Sequence, residues 1–386
     1  MRRFLVTFLI FLGISTLNEA RARAYAQWQF TSGAARCSQC HYGPAGTGLI
    51  TSYGRDAVGE ELSTFAGNGA LLHGIAVPPQ WLAVGGDLRG ALMARDVQDP
   101  DGATYAAFPM QADFLARIAF GAGISFYGTL GFRGQTRAPD TAVPAQNFQP
   151  ATATRLISRE HYLMWQPEVL GPYARAGRFF APFGLRLAEH VTYVRRDLGF
   201  NQLEETYNVS GGFVYPHSEL HVAAFTSDFV RHIGSQEKGL SAYYEHRLLD
   251  DSAAVAAQGR LAFGPGYTRL ILGTVGKVFI EKARTMLLTE IDAVQMEFEG
   301  SAAGARQQLV AAGGIAVLPV RGLMATFLIE RNQVDLQIRG AGWTAGTLLL
   351  NWFPYAHVEL QVMSRLQSPG GADTAKTLLA QLHYFL

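Results

Sequence analysis

The chemistry of this chain is concentrated in one short stretch. Its two cysteines and a histidine lie within five positions, in Cys37-Ser38-Gln39-Cys40-His41. Two thiols three positions apart can reach the two vinyl groups on one edge of a porphyrin, and the next side chain can ligate the iron from below the ring. The pattern therefore predicts one covalent haem c, bound by Cys37 and Cys40, with His41 as the proximal iron ligand.

Other sites with two cysteines at this spacing fit the chain less well. A zinc site would need two further ligands at a spacing that the sequence does not offer. A thioredoxin-like redox motif would need a βαβ context, which the flanks, rich in glycine and small polar residues, do not supply. A structural disulfide followed by an incidental histidine stays open as the alternative to a haem site.

A second side chain could complete the coordination of the iron. Residues 26–79 contain no methionine, and His73 is their one histidine besides His41. If the haem segment is self-contained, His73 is the distal ligand, and such bis-histidine ligation lowers the redox potential relative to His/Met ligation. If His73 is a linker residue instead, the ligand comes from later in the chain. The candidates are then Met93, Met110 and His161.

The N-terminus has the pattern of an export signal, which agrees with haem attachment outside the bacterial cytoplasm. Two arginines precede an apolar run of 14 residues from Phe4 to Leu17, and small residues around Ala24 form a cleavage zone. The run is shorter than the roughly 20 residues of a membrane-spanning helix. Residues 1–24 are therefore predicted to be a signal peptide, not an anchor. Cleavage removes four arginines and one glutamate, so 32 Lys+Arg and 31 Asp+Glu become 28 and 30. Such a near-neutral chain has no basic footprint for nucleic acid.

The rest of the chain, residues 80–386, consists of many segments of about ten residues that alternate apolar with polar or small residues. In 287–293 the polar face holds Glu290 and Asp292, and 358–365 shows the same pattern. A soluble sandwich alternates with its apolar face turned inward, whereas a transmembrane barrel turns that face toward lipid. The period alone leaves both folds open.

The number of segments and the lengths of their connections favour the barrel. Connections after odd-numbered segments are mostly long and those after even-numbered ones are tight, which is the wiring of an outer-membrane barrel. The fold class is therefore mainly β, a transmembrane antiparallel barrel of sixteen strands, with fourteen and eighteen as alternatives. The predicted strands are 80–94, 106–119, 123–133, 154–166, 171–180, 203–215, 217–226, 238–248, 252–263, 267–281, 284–298, 304–318, 320–331, 342–353, 356–366 and 376–386.

These features together resemble the fused cytochrome–porins, outer-membrane proteins in which a short monohaem c-type segment precedes a barrel of about sixteen strands. The resemblance covers the architecture of the whole mature chain. In sequence it rests on the haem motif and on Tyr53-Gly54-Arg55, where the family has an aromatic-Gly-Arg step. The run Arg175–Arg186 is similar to a strand-to-loop signature of some porin-like barrels. The best-known members oxidise ferrous iron at the cell surface.

The resemblance implies electron transfer across the outer membrane, between a periplasmic electron-carrier protein and an extracellular donor or acceptor such as ferrous iron. Residues 25–79, the predicted haem segment, are too few to bury a haem by themselves. We therefore expect them to lean on the barrel wall as a plug, because a sixteen-strand barrel otherwise leaves an aqueous channel. Two other classes stay open: a porin or transporter whose haem segment gates the channel or senses redox state, and a haem-dependent enzyme such as a peroxidase. No catalytic residue is predicted apart from the haem iron.

The long connection Ala181–Gln202 follows the fifth predicted strand. It has the length to fold into the channel and narrow it, as the corresponding loop of general porins does. A solvated extracellular loop is the favoured alternative, because connections usually run over protein surfaces. A metal ligand at His190 is the less favoured interpretation of its one histidine. Its charged and titratable residues are Arg186, Glu189, His190, Arg195, Arg196 and Asp197.

Overall fold

The computed structural model describes residues 36–46, 48–57, 62–96, 104–133, 148–149, 156–201, 203–230, 234–300, 304–370 and 374–386. The predicted signal peptide, residues 1–24, lies outside the described residues, so its assignment stays a prediction. The haem motif, His73 and nearly all of the predicted strands lie within them.

Sixteen antiparallel strands of the described chain form one closed barrel, as predicted. The first and last strands pair with each other, with Arg89 opposite His383, and this pairing closes the barrel. The strand segments are β1 (Leu82–Asp96), β2 (Thr104–Gly121), β3 (Ile124–Arg133), β4 (Phe148–Gln149), β5 (Leu156–Ile157), β6 (His161–Trp165), β7 (Gly171–Phe179), β8 (Thr206–Val214), β9 (Ser218–Thr226), β10 (Gly234–Ser235), β11 (Lys238–Leu248), β12 (Ala253–Gly264), β13 (Tyr267–Ile280), β14 (Thr285–Phe298), β15 (Arg306–Val320), β16 (Leu323–Gln333), β17 (Gly342–Trp352), β18 (Val358–Pro369) and β19 (Ala375–Phe385).

Each of the sixteen predicted segments overlaps one barrel strand. β5 and β6 are two pieces of one strand, since both pair with β3. The short segments β4 and β10 pair with each other, apart from the barrel sheet. The predicted number of strands is therefore confirmed, and the differences are confined to strand ends.

The apolar face of the barrel points outward, which excludes the sandwich alternative. On β14, Leu287 and Ile291 are 37% and 47% exposed, whereas Glu290 and Asp292 are buried inside. On β18 the aliphatic side chains are likewise exposed and the charged ones buried. Lipid accepts the first face and the lumen accepts the second, because each unpaired charge facing lipid near the bilayer midplane costs roughly 2–4 kcal/mol. Among the described residues, no helix is long and apolar enough to cross a membrane.

The two ends of the barrel differ in their connections. One end, which we call the tight-turn end, carries short turns such as 122–123 and 321–322 and the five-residue connection 353–357. At the first of these, Ala122 and Gly123 both have positive φ, of 49° and 77°, the backbone of a two-residue hairpin whose twist matches the strands. The other end, the long-loop end, carries the connections between β3 and β6 and between β7 and β8.

The described residues before β1, which are 36–46, 48–57 and 62–81, form an N-terminal segment that lies in the tight-turn end of the lumen. It contains the short helices α1 (Cys37–Cys40) and α2 (Ser52–Asp56) and a 3₁₀ turn at Leu71–Gly74. Backbone N–H groups of Thr64 and Phe65 donate to carbonyls of the 353–357 turn, at 2.8 and 3.0 Å. The segment is therefore attached to that end of the barrel by its main chain.

The connection between β7 and β8, described at residues 180–201 and 203–205, folds into the lumen, so the favoured expectation of a solvated loop is wrong. We call it the inward loop. It contains helix α3 (Tyr193–Arg196) and contributes fully buried side chains at Tyr193 and Leu198 to the main hydrophobic cluster. Its backbone is held by the wall, because the N–H of Leu185 donates to Glu290 Oε2 at 2.9 Å. Apolar side chains of the loop gain burial, and polar groups of the wall satisfy its main chain.

Candidate functional site

A cavity of about 530 Å³ lies in the lumen and is lined by both the N-terminal segment and the inward loop. The segment is attached at the tight-turn end, whereas the loop enters from the long-loop end, so the two elements approach the cavity from different ends of the barrel. The residues that the motif singled out open onto it: Cys37, Cys40 and His41. The apolar part of its wall includes Leu49, Leu115, Phe180, Leu185, Leu187, Leu288, Met363 and Leu379.

The motif itself forms one helical turn, which places its thiols on the same element. The His41 N–H donates to the Cys37 carbonyl at 2.9 Å and ends α1. His41 then continues into a β-bridge with Ile50. The two sulfurs are not joined as a disulfide within the described chain. Burial raises the pKa of the Cys37 thiol, and the carboxylate of Glu219 acts in the same direction, so this thiol is neutral at ordinary pH.

The Tyr53-Gly54-Arg55 step has a physical role in this arrangement. A Cβ on Gly54 would lie 2.6 Å from the Cys40 carbonyl oxygen and 3.1 Å from its Cα, so a glycine is needed where α2 passes behind α1. Arg55 is buried, and its guanidinium donates to the carbonyl of Val84 at the start of β1. Glycine thus sets the spacing of the two helices, and the arginine ties them to the barrel.

Further hydrogen bonds fix the chain between the motif and α2. The backbone N–H of Leu49 donates to the Tyr127 hydroxyl on β3 at 2.9 Å, in a buried position. The Thr51 N–H donates to the Cys40 carbonyl at 2.8 Å, and the Thr51 hydroxyl to the Gln39 carbonyl at 2.7 Å. The orientation of α1 is therefore determined by contacts on the segment and on the wall.

His73 is not brought to this cavity. It lies in the Leu71–Gly74 turn, exposed, with its ring 4.8 Å from that of His357 and 6.4 Å from that of Tyr384. Leu72 and His73 both have left-handed backbone, with φ of 49° and 56°, which turns the chain toward the 353–357 connection. The geometry gives His73 no support as the distal ligand, although the assignment stays a prediction.

The alternative distal ligands are divided by the structure. Met110, at a bulge of β2, lines the cavity. Met93 and His161 do not, and the His161 ring is instead hydrogen-bonded to the hydroxyls of Ser158 and Tyr207, at 2.8 and 3.2 Å. Of the three methionine and histidine candidates outside the N-terminal segment, the structure therefore brings one to the motif.

Positive charge near the motif comes from the inward loop. Arg186 lines the cavity, its Nε donates to the Phe183 carbonyl at 3.3 Å, and it forms no ion pair among the described residues. Burial lowers the pKa of Arg186, although the guanidinium stays charged. Several charges on the wall are paired, as in the contact of Lys277 with Glu245 at 2.7 Å. Arg186 is thus a cation available to an anionic group in the cavity.

Comparisons with known proteins agree with this architecture. No protein-family model and no curated protein sequence matches the chain. Among solved structures, Vibrio cholerae OmpT matches with a TM-score of 0.57 at 10% identity, over 80% of this chain and 99% of that one. Pseudomonas putida OprB matches with a TM-score of 0.58 at 9% identity, over 79% of this chain and 94% of that one. An anion-selective porin from Comamonas acidovorans matches with a TM-score of 0.56 at 10% identity, over 79% of this chain and 99% of that one. The fold is that of the outer-membrane porins.

The similarity to porins concerns the fold of the barrel. The contacts that form the cavity have to be explained from the residues of this chain. Sequence reasoning named Arg186 and His190 among the charged residues of the loop but did not place them at the motif. The available signal was the loop's apolar content, since Phe183, Leu187 and Tyr193 would be unfavourable in water. The contact between Leu49 and Tyr127 had no signal in the sequence pattern.

Proposed function

We propose that this chain is an outer-membrane electron-transfer protein in which one covalently bound haem c is held inside the barrel. The observation that carries the proposal is the shared cavity, onto which Cys37, Cys40 and His41 all open. When bound there, haem c supplies a one-electron ferric/ferrous couple. The chain's own residues bind and orient the group, and the N-terminal segment and the inward loop limit the access of water to it.

The residues at the cavity fit such a group. Each thiol can add across one vinyl group: the S–H bond and the vinyl π bond break, a C–S bond forms, and the thiol hydrogen goes to the other vinyl carbon. His41 follows Cys40 directly and supplies an imidazole for the iron. Arg186 supplies a cation for the haem propionates, because a planar guanidinium can donate two parallel hydrogen bonds to a carboxylate. The apolar wall covers the porphyrin faces, and the volume lies within the usual range of roughly 300–1,000 Å³ for ligand pockets.

The proposed orientation follows from the connections. Outer-membrane barrels place short turns in the periplasm and long loops outside the cell. The N-terminal segment would then lie at the periplasmic mouth, where a periplasmic electron-carrier protein can dock. The donor or acceptor on the outer side would reach the inward loop, and ferrous iron is the first donor to test because of the resemblance to the cytochrome–porins.

Electron transfer is tested in proteoliposomes that contain a trapped acceptor such as ferricyanide. An external reductant, beginning with ferrous iron, should reduce the trapped acceptor when the vesicles contain the protein with covalently bound haem. His41→Ala should abolish this transfer while the barrel stays folded, because it removes an iron ligand and no strand contact. His217→Ala, at an exposed tight turn, is the matched control and should leave transfer unchanged. Absence of covalent haem in the purified protein would reject the proposal.

A porin whose N-terminal segment gates the channel is the second candidate, and the porin fold favours it. The same vesicles distinguish the two functions. A gated porin should pass small uncharged solutes when the segment is displaced and should carry no electrons with the segment in place. Reduction of the trapped acceptor without solute flux supports the electron-transfer function.

A further inference from the structure

Four histidines among the described residues line the cavity: His41, His190, His221 and His383. His41 belongs to the motif, and the other three come from the barrel wall or the inward loop. A ligand for the second axial position of an iron needs an imidazole nitrogen that no other group holds. The hydrogen bonds and carboxylate contacts of the three rings therefore decide between them.

Two of the three rings are held by other side chains. The Nδ1 of His221 lies 2.7 Å from the Tyr173 hydroxyl, and its Nε2 lies 3.5 Å from Glu219. The Nδ1 of His383 lies 2.7 Å from Glu359, and its Nε2 lies 3.1 Å from Asp87. Ligation of iron by either ring would break a contact inside the barrel.

His190 differs from both. Its ring is partly buried, lines the cavity and has no hydrogen bond or ion pair within the part of the chain that the structure describes. Its backbone position is fixed, because the hydroxyl of Thr192 donates to the Glu189 carbonyl at 2.9 Å. Arg195 donates to carbonyls on either side of the same turn, those of Leu187 and Phe200.

The loop around His190 is also anchored to the wall. The N–H of Tyr193 donates to Glu330 Oε1 at 2.6 Å, and Asp197 accepts from Asn332 at 2.9 Å. The turn that carries His190 is therefore held in the lumen before any ligand binds. An imidazole presented on a fixed turn loses little conformational entropy when it binds a metal.

We propose that His190 of the inward loop is the distal ligand of the haem iron, so that the iron joins the N-terminal segment to the loop. This proposal rests on the proposed function, because it requires haem at Cys37 and Cys40. His41 would bind from the tight-turn end, and His190 would bind from the element that enters from the other end. The two thioethers on the cavity, Met110 and Met363, are already packed against the main hydrophobic cluster.

This ligation would have a structural consequence. A bond from the iron to His190 would couple the N-terminal segment to the inward loop, two elements that are otherwise attached to different parts of the wall. The haem would then close the channel as well as carry charge. Bis-histidine ligation also gives a lower potential than His/Met ligation, so a ligand change should be visible in the midpoint.

The test is the absorption and electron paramagnetic resonance spectra of the purified full-length protein in detergent. The wild type should be six-coordinate and low-spin. His190→Ala should become high-spin with covalent haem retained at one per chain, and added imidazole should restore the low-spin spectrum. His190→Met should stay low-spin with a raised midpoint potential. His73→Ala and Met110→Ala are the controls and should leave the spectrum unchanged.

Each outcome decides the proposal. A low-spin spectrum in His190→Ala, or a high-spin spectrum in the wild type, His73→Ala or Met110→Ala, would overturn it. If imidazole fails to restore His190→Ala although the heat-modifiable band shows a folded barrel, His190 is not a ligand. A wild-type protein without haem rejects the proposed function instead, which keeps the two failures distinct.

Discussion

Gly54→Ala tests whether the packing of the two short helices holds the N-terminal segment in the barrel. The new Cβ would lie 2.6 Å from the Cys40 carbonyl oxygen. That oxygen also accepts the Thr51 N–H at 2.8 Å. The Cys40 carbonyl and the Thr51 N–H both belong to the backbone and cannot rotate away as a side chain could. α2 must therefore move away from α1, and the hydrogen bond between Thr51 and Cys40 lengthens.

Two effects of opposite sign set the magnitude. Overpacking of this kind costs roughly 1–3 kcal/mol. Replacing glycine by alanine at a position with an ordinary helical φ stabilises by about 0.4–1 kcal/mol through the unfolded chain. The clash therefore prevails, and the net loss is roughly 0.5–2 kcal/mol. The population of the displaced segment should rise by about 2- to 30-fold.

Trypsin reports this population directly. Arg55 is the one Lys or Arg between Cys37 and Arg89, and it is buried. Cleavage after Arg55 therefore requires opening of the segment, and its rate follows the open population when reclosing is fast. Mass spectrometry should show this cleavage about 2- to 30-fold faster in Gly54→Ala than in the wild type.

Ser52→Ala is the matched control, because Ser52 lies in the same helix and is exposed. It should leave the cleavage rate within about twofold of the wild type, as surface substitutions usually do. An unchanged or slower rate in Gly54→Ala would refute the reasoning, since it would mean that α2 does not pack closely behind the motif. This assay does not depend on haem, so its result is independent of the proposed function.

Two further predictions concern the barrel and the inward loop. Ile291 lies at the centre of the lipid face of β14 and is 47% exposed, so Ile291→Arg should cost roughly 2–4 kcal/mol of folding free energy in vesicles. Leu336 is 52% exposed in a long-loop-end connection, so the control Leu336→Arg should cost under about 0.5 kcal/mol. Equal losses in the two variants would contradict the membrane-facing assignment of Ile291. Burial raises the pKa of Glu204, in the inward loop, to about 7 from 4.5, so its neutral form stabilises the folded state below about pH 4.5 and this contribution is lost as the pH rises through 7. The free energy of unfolding of the wild type should fall by up to roughly 3 kcal/mol relative to Glu204→Gln over that window, and parallel pH curves for the two proteins would count against it.

The barrel could be predicted from the sequence because both of its faces constrain every strand. Lipid selects apolar residues at one parity and the lumen selects polar ones at the other, as with Ile291 and Asp292. Each strand therefore carries the pattern in its own residues, without reference to distant parts of the chain. The proposed haem site could be predicted from the sequence for a similar reason, since its chemistry requires two cysteines and a histidine at fixed local spacing.

The placement of the inward loop could not be read in that way. The hydrogen bond from Tyr193 to Glu330 joins residues 137 positions apart, and neither residue indicates the other. The position of His73 depends on two consecutive left-handed residues, Leu72 and His73, neither of which is a glycine or an asparagine. The missed features are therefore those that depend on long-range contacts or on an uncommon backbone.

The arrangement of the lumen opposes the passage of solutes on physical grounds. A solute crossing the barrel would have to displace the N-terminal segment, which is held by main-chain bonds from Thr64 and Phe65 and by buried Arg55. It would also have to displace the inward loop, whose Tyr193 and Leu198 are fully buried in the main hydrophobic cluster. Moving a buried aromatic or leucine side chain into water costs roughly 1.5–3 kcal/mol for each residue, so opening both elements together is costly. In the proposed function an electron needs neither element to move, and a haem at the junction of the two would shorten the path of the electron from each side.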